Sequence, residues 1–211
     1  MVTGLLAVSG RAGMDQRLRI LVLVFAAAAD VSGQTGSDPP ITGKGRVKWA
    51  VENTVGWPSL AAGAISAGWG TGFDRPPEYG SHWDGFGKRY GMRLTGIATA
   101  NAIDASLGAV WGEDPRYFRD GSGQPFGNRL RHVFIWTFVA RNREGQPVPA
   151  YSRFVALSGS NFLSNTWRPS SEADTSHSAE RIGLGLLGRL SKNAFDEFWP
   201  DVKERVFRRG R

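Results

Sequence analysis

The sequence predicts a mainly α-helical protein, a bundle of helices rich in small residues. Three observations carry that expectation. Glycine, alanine and serine recur at every fourth position in two long segments, which on a helix draws a side-chain-poor stripe against which another backbone can pack closely. Those segments carry almost no charge: residues 53–73 have none, and Asp104 is the only charged side chain between Leu94 and Gly112. Proline and glycine clusters then cut the chain into helix-length pieces.

Taken in order, Met14–Gly33 opens on Arg17 and Arg19, continues with an apolar run from Ile20 to Ala29 and ends on small residues around Val31, Ser32 and Gly33. That is the layout of a secretory signal, so residues 1–33 read as a signal peptide, with Met14 as an alternative start and cleavage expected before Gln34. An uncut membrane anchor is the competing reading of the same run. Residues 34–45 read as a flexible leader and 46–211 as a single helical domain.

In that domain, residues 46–53 have helical spacing, broken at Trp57-Pro58. Two stripes follow, Ser59-Gly63-Ala67-Thr71 and Ala64-Gly68-Gly72; their glycines also leave a loop as the alternative. Residues 74–85, with Pro76, Pro77, Gly80 and Gly85, are a connecting loop. From Phe86 to Gly112 a second helix places Gly96, Ala100, Gly108 and Gly112 on one face, with Asp104 in its gap and Ala98, Ala102 and Ser106 beside it. Burial of Asp104 would demand a partner, and arginines of neighbouring segments are the candidates; exposure to water is the alternative. Asp114-Pro115 reads as a helix restart with Asp114 as N-cap. Residues 127–157 read as two helices joined by a loop from Asn142 to Pro149, with a short β-hairpin near 132–157 as the alternative. A final helix from Ser176 to Phe198 precedes Pro200, which opens a terminal basic helix over 201–208.

Composition excludes several functions. The 211 residues include no cysteine, so disulfide scaffolds, thiolate metal sites and cysteine nucleophiles are ruled out. The formal charge is +7, yet basic residues are scattered and dense only from Lys203 to Arg211. No basic run is interleaved with base-stacking aromatics, which argues against nucleic acid as a partner. His82, His132 and His177 lack any zinc-ligand spacing, so no metal is expected. Gly183-Leu184-Gly185-Leu186-Leu187-Gly188 fits a dinucleotide fingerprint by letter, but no strand precedes it, so its glycines are expected to thin a packed helix and no cofactor is expected.

The best local chemical pair is His82 with Asp84, which with Glu113 or Asp114 brought beside it would suit a soluble periplasmic hydrolase. A different class of function rests on Trp199, Lys203, Arg205, Arg208 and Arg209, an aromatic and basic set suited to an anionic lipid or envelope polymer.

The segments Gly87-Lys88-Arg89-Tyr90-Gly91, Asp114-Pro115-Arg116-Tyr117-Phe118-Arg119, Ser164-Asn165 and Glu197-Phe198-Trp199-Pro200-Asp201-Val202-Lys203 together resemble a family of uncharacterised exported bacterial envelope proteins. The resemblance covers roughly residues 55–207. It implies a helical, small-residue-rich envelope protein and supplies no activity, cofactor or catalytic residue. The expected molecule is therefore exported to the periplasm or outer envelope membrane, is membrane-associated, and has a structural or partner-subunit role. Its expected partners are the membrane surface, another envelope protein, or a second copy through the Gly/Ala faces Ser59, Gly63, Ala67, Ala64, Gly68, Gly96, Ala100 and Gly108.

Overall fold

A computed structural model describes residues 39–208. The expected signal peptide and most of the leader lie outside these residues. The leader is shorter than expected, because Thr42 accepts a hydrogen bond from Gly45 N (3.1 Å) and caps helix α1, Gly43–Val55. Gly56 is extended and Pro58 sits in the first turn of α2, Trp57–Gly72, so the break expected at Trp57-Pro58 separates two helices. The loop expected over residues 74–85 ends at 82, because residues 83–85 already belong to the next helix, and it holds a cis bond between Arg75 and Pro76. Helix α3, Trp83–Trp111, ends on Gly112, whose φ of 79° is the left-handed cap glycine adopts without steric penalty.

Two sequence expectations meet in the next segment. Helix α4, Phe126–Phe138, passes directly into strand β1, Val139–Arg141, which pairs antiparallel with β2, Pro147–Pro149, before helix α5, Tyr151–Ser164. The two helices and the hairpin are thus both present. Asn142 turns the corner by accepting Glu144 N and Gln146 N through its side chain. Pro147 and Pro149 are tolerated in β2 because they face Arg141 and Val139 at positions that exchange no hydrogen bond; the bonds fall on the alternate pairs, with Asn142 N donating to Gln146 O and Ala150 N to Phe138 O.

Helix α6 runs unbroken from Thr175 to Arg208 with Pro200 inside it, a correction to the separate terminal helix expected there. Proline leaves the preceding turn short of one backbone donor. The carbonyl this leaves without its helical donor is Asp196 O; Arg119 and Arg129 donate to the next one, Glu197 O, and tie this turn of α6 to α4 and to the segment before it. The restart expected at Asp114-Pro115 is also absent: Asp114 is extended, bridged to Arg141 by its N–H (2.8 Å), and its carboxylate is taken by Arg116 instead of a helix N-terminus.

Helix α3 is the centre of the bundle, packed against α1, α2 and α5, while α4 and α5 lie against α6. The first stripe of α2 does face α3. Gly63 and Ala67 are buried, and a Cβ on Gly63 would come within 2.9 Å of the Tyr90 ring and the Arg93 guanidinium. The second stripe does not: Ala64, Gly68 and Gly72 are exposed, and nothing lies within 4 Å of a Cβ on Gly68. Positions 63 and 68 are about 140° apart around a helix, too far to meet one neighbour. On α3, Asp104 and Gly108 are buried, whereas Ala100 is half-buried and Gly96 has open space, so tight packing is confined to the C-terminal part of that stripe. The fingerprint-like glycines lie inside α6, where Gly185 alone is pressed on a neighbour, Leu157 of α5.

The distribution of polarity is inverted relative to an ordinary soluble bundle. Among the described residues, Arg46, Arg89, Asp104, Glu113, Arg129, Arg153 and Glu197 are buried, while Trp57, Ile65, Trp69, Trp83, Val110 and Phe126 are each more than two-thirds exposed. Among the described residues, the buried apolar side chains include a cluster of Phe118, Ile135, Trp136 and Val139 around the α4–β1 junction, and apart from it Trp49, Val133, Ala67, Ala140, Ala150 and Ala156. Among the described residues no helix is long and apolar enough to cross a membrane.

Candidate functional site

The most concentrated chemistry lies where α3 ends. Asp104 and Gly108 face α5 from successive turns, and the chain folds back through Gly112 to bring Glu113 to the same point. Ser152, in the first turn of α5, sits between the two acids: its Oγ is 2.7 Å from Asp104 Oδ1 and 2.9 Å from Glu113 Oε2, so one hydroxyl proton serves two carboxylates. Ser152 N also donates to Glu113 Oε2 (2.9 Å). A Cβ on Gly108 would meet Arg46 Nη1 at 2.8 Å, Glu113 O at 2.9 Å and Ser152 Oγ at 3.4 Å, so only glycine lets these polar groups converge.

Three arginines act electrostatically on Asp104, and one of them, Arg153, on Glu113 as well. Burial pulls the Arg46 guanidinium below its ordinary pKa, opposed by Asp114 and Asp104. Burial likewise brings Arg153 down to about 9, with Arg189 adding to the effect and Asp104 and Glu113 opposing it. Arg153 Nη1 donates to Trp136 O, Thr137 O and Val139 O, which ties α5 to the end of α4. Arg189 from α6 is lowered by burial and opposed by Asp104 and Asp196; it donates to Pro115 O. Ser152 thus ties α3 to α5, Arg153 ties α5 to the end of α4, and Arg189 ties α6 to Pro115, while Arg46 from α1 adds its charge to the acids.

Beside the cluster lies a cavity of 690 Å³ between the end of α3, the hairpin turn and the start of α5. Its walls are apolar and aromatic, with Val110, Trp111, Val148, Tyr151 and Val155. Glu113 reaches it from the buried cluster, and Arg143 and Glu144 come from the turn. Arg143 Nη2 donates to Ala109 O (3.1 Å), which fixes the turn against α3.

A second buried node joins two segments singled out in the sequence. Glu197 is fully buried and accepts from Tyr117 Oη (3.0 Å), Asp120 N (3.0 Å), Gly121 N (3.1 Å) and Arg129 Nε (2.7 Å). Burial alone would raise its pKa, but the Arg129 guanidinium and the bonds from Asp120, Tyr117 and Gly121 together hold it below the ordinary carboxylate value. Arg129 also pairs with Asp201 and lies 4.5 Å over the Phe198 ring. At the other end of α3, Arg89 is buried and donates to the backbone oxygens of Arg75, Pro76 and Gly80 and to Asp74, locking the loop before α3 onto that helix.

The hydrolytic constellation is not assembled. His82 is exposed at the N-cap of α3, and its side chain makes no capping bond. Asp84 is exposed and paired with Lys88. Glu113 and Asp114 lie beyond the far end of the same helix, about 40 Å away at 1.5 Å per residue, so α3 itself keeps the pair from its third member. Trp199 and Lys203 are exposed on α6, as a surface role requires. The side chains of Arg205 and Arg208, and all of Arg209, lie outside the described residues. Among the described residues no group of three His, Asp or Glu side chains could hold a metal ion.

Ser152, Glu197 and the buried arginines were not singled out as site residues from the sequence. For Glu197 a signal existed in the E-F-W-P-D segment; for Arg153 and Ser152, inside an ordinary helical pattern, none did. Comparison with protein-family models, with curated proteins and with solved structures gave no match.

Proposed function

We propose that the chain is an exported, membrane-associated helical subunit of the bacterial envelope, with a structural role and with its apolar exterior turned to lipid. The observation that carries this reading is the inverted polarity. In water, burying charge is expensive and leaving large apolar side chains exposed forfeits the main driving force of folding. In hydrocarbon large apolar side chains belong on the outside, and polar and charged groups belong in the interior of the bundle.

Two further features support lipid over a single protein partner. Exposed apolar side chains occur on every helix, with Val51 on α1, Ile65 on α2, Val110 on α3, Leu130 on α4, Phe162 on α5 and Leu187 on α6, so they ring the bundle instead of forming one patch. Tryptophans 57, 69, 83, 111 and 199 are among the exposed residues, and that ring suits the boundary between headgroup and acyl chain. Hydropathy averaged along α3 is depressed by Arg89, Arg93 and Asp104, residues that the bundle turns inward or half-buries. Trp199 with Lys203 and the basic residues after it adds attraction to an anionic surface.

Fractionation of cells expressing the full chain tests this. The protein should pellet with membranes, resist osmotic shock and dissolve in nonionic detergent, with a mature N-terminus at or near Gln34. Release by osmotic shock as a monodisperse detergent-free monomer would overturn the reading. Release as a defined complex with another protein would replace lipid by that partner.

A further inference from the structure

We infer that the cavity between α3, the hairpin turn and α5 is a binding site for an ammonium group carried on an apolar chain. The inference is independent of the membrane reading, since it rests on this cavity alone. At 690 Å³ the cavity falls in the range that encloses small organic ligands. Its walls divide by chemistry. Val110, Val148 and Val155 offer aliphatic surface, and Trp111 and Tyr151 add aromatic rings whose negative faces attract cations.

The charges are unequal. Glu113 and Glu144 both line the cavity, and Arg143 is the one cation that lines it. Arg143 keeps its charge but is held to one side, because its Nη2 donates to Ala109 O and its side chain lies across Gly112, 3.1 Å from where a Cβ would stand. Glu113 is fixed in place by two bonds from Ser152 to a single oxygen, Oε2, and is only 3% exposed. Glu113 is thus a preorganised carboxylate at the inner edge of the cavity, on which the Arg153 charge also acts, and Glu144 is the exposed carboxylate at the rim that a positively charged donor meets first. Val155 is 45% exposed and Tyr151 57%, so the cavity opens outward and a chain attached to the ammonium group can leave along α5.

The test uses three probes of equal chain length, n-hexylammonium, n-hexanol and n-hexanoate, titrated calorimetrically into the full-length protein in nonionic detergent against matched micelle blanks. Hexylammonium should bind saturably, at least threefold tighter than hexanol, and hexanoate weakest. Glu144→Gln, at an exposed rim position, should weaken hexylammonium two- to fivefold and leave hexanol unchanged. Val155→Trp should fill the cavity and abolish binding of both. Equal binding of hexanol and hexylammonium, tighter binding of hexanoate, or retention of affinity in both variants would overturn the assignment. Should Val155→Trp fail to fold, the ratio of hexylammonium to hexanol in Glu144→Gln still decides.

Discussion

Tyr117 Oη donates to Glu197 Oε2 at 3.0 Å across 80 residues of sequence, and this contact joins the loop after α3 to the middle of α6. The same carboxylate receives two backbone N–H groups and the Arg129 guanidinium, so four donors converge on one buried anion. Removing its charge leaves Arg129 with Asp201 alone. Glu197→Gln should therefore destabilise the fold by about 3 kcal/mol, as expected when one partner of a buried pair is lost. Tyr117→Phe removes a single bond and should cost about 1–2 kcal/mol. Urea denaturation in detergent measures both; a Tyr117→Phe loss equal to that of Glu197→Gln would contradict the ranking.

The pH dependence follows from the same residue. The folded-state pKa of Glu197 is lowered, so the carboxylate contributes stability that is fully present above its unfolded value of about 4.3 and is lost as pH falls through the folded value. The difference in denaturation midpoint between wild type and Glu197→Gln should be constant from pH 7 to 5 and shrink below about pH 4. Tyr117 gives the opposite flank. Burial first, then Glu197, raises its pKa above the ordinary 10, so its contribution is complete below that pH and lost above it. A gap between wild type and Glu197→Gln that stays constant down to pH 3 would assign the stabilisation to shape rather than charge.

The helical class was legible because small residues at fourfold spacing and the Pro/Gly breaks act locally, and local signals survive in a single sequence. Which stripe packs was not legible. Ser59-Gly63-Ala67 and Ala64-Gly68-Gly72 are equivalent as patterns, and only the position of α3 distinguishes them. The hairpin was ambiguous because the run Val133–Val139 suits helix and strand alike, and the chain uses it for both. Pro200 misled because a proline inside a helical pattern more often ends the helix than lies within it, and what ties this turn in place, Arg119 and Arg129 bonding to Glu197 O, comes from far away in sequence. The buried charge network was legible only at Asp104, whose burial called for arginine partners; which arginines come, and that Ser152 sits between the acids, was not, since Ser152 and Arg153 look alike in sequence whether they face water or one another.

The two stripes of α2 give a paired test. Gly63→Leu drives a branched side chain into Tyr90 and Arg93 and should cost about 1–3 kcal/mol or more. Gly68→Leu meets nothing and replaces a poor helix former, so it should be neutral or stabilising by up to about 1 kcal/mol. Thermal melting of both variants in the same detergent decides. Equal loss at both positions would mean that the second stripe is also covered, by a second copy or another protein.

Ser152 offers the sharpest test of the buried cluster, because two other serines on the same helix serve as controls. Ser160 and Ser164 are buried like Ser152, but each donates only to a carbonyl oxygen of its own helix, Leu157 O and Asn161 O. Ser160→Ala loses one local bond at 3.3 Å and should change stability by less than about 0.5 kcal/mol. Ser164 also accepts from Arg168 Nε, so Ser164→Ala should cost about 1 kcal/mol. Ser152→Ala takes away the one proton that bridges Asp104 and Glu113 and leaves two buried carboxylates facing each other, with only the Ser152 backbone N–H still donating to Glu113. A buried charged acceptor deprived of its donor costs more than a neutral one, so the expected loss is about 2–3 kcal/mol. Pairing Ser152→Ala with Asp104→Asn should recover part of that loss, because it removes one of the two neighbouring negative charges. A double variant no more stable than Ser152→Ala would show that the two acids are not coupled through the serine.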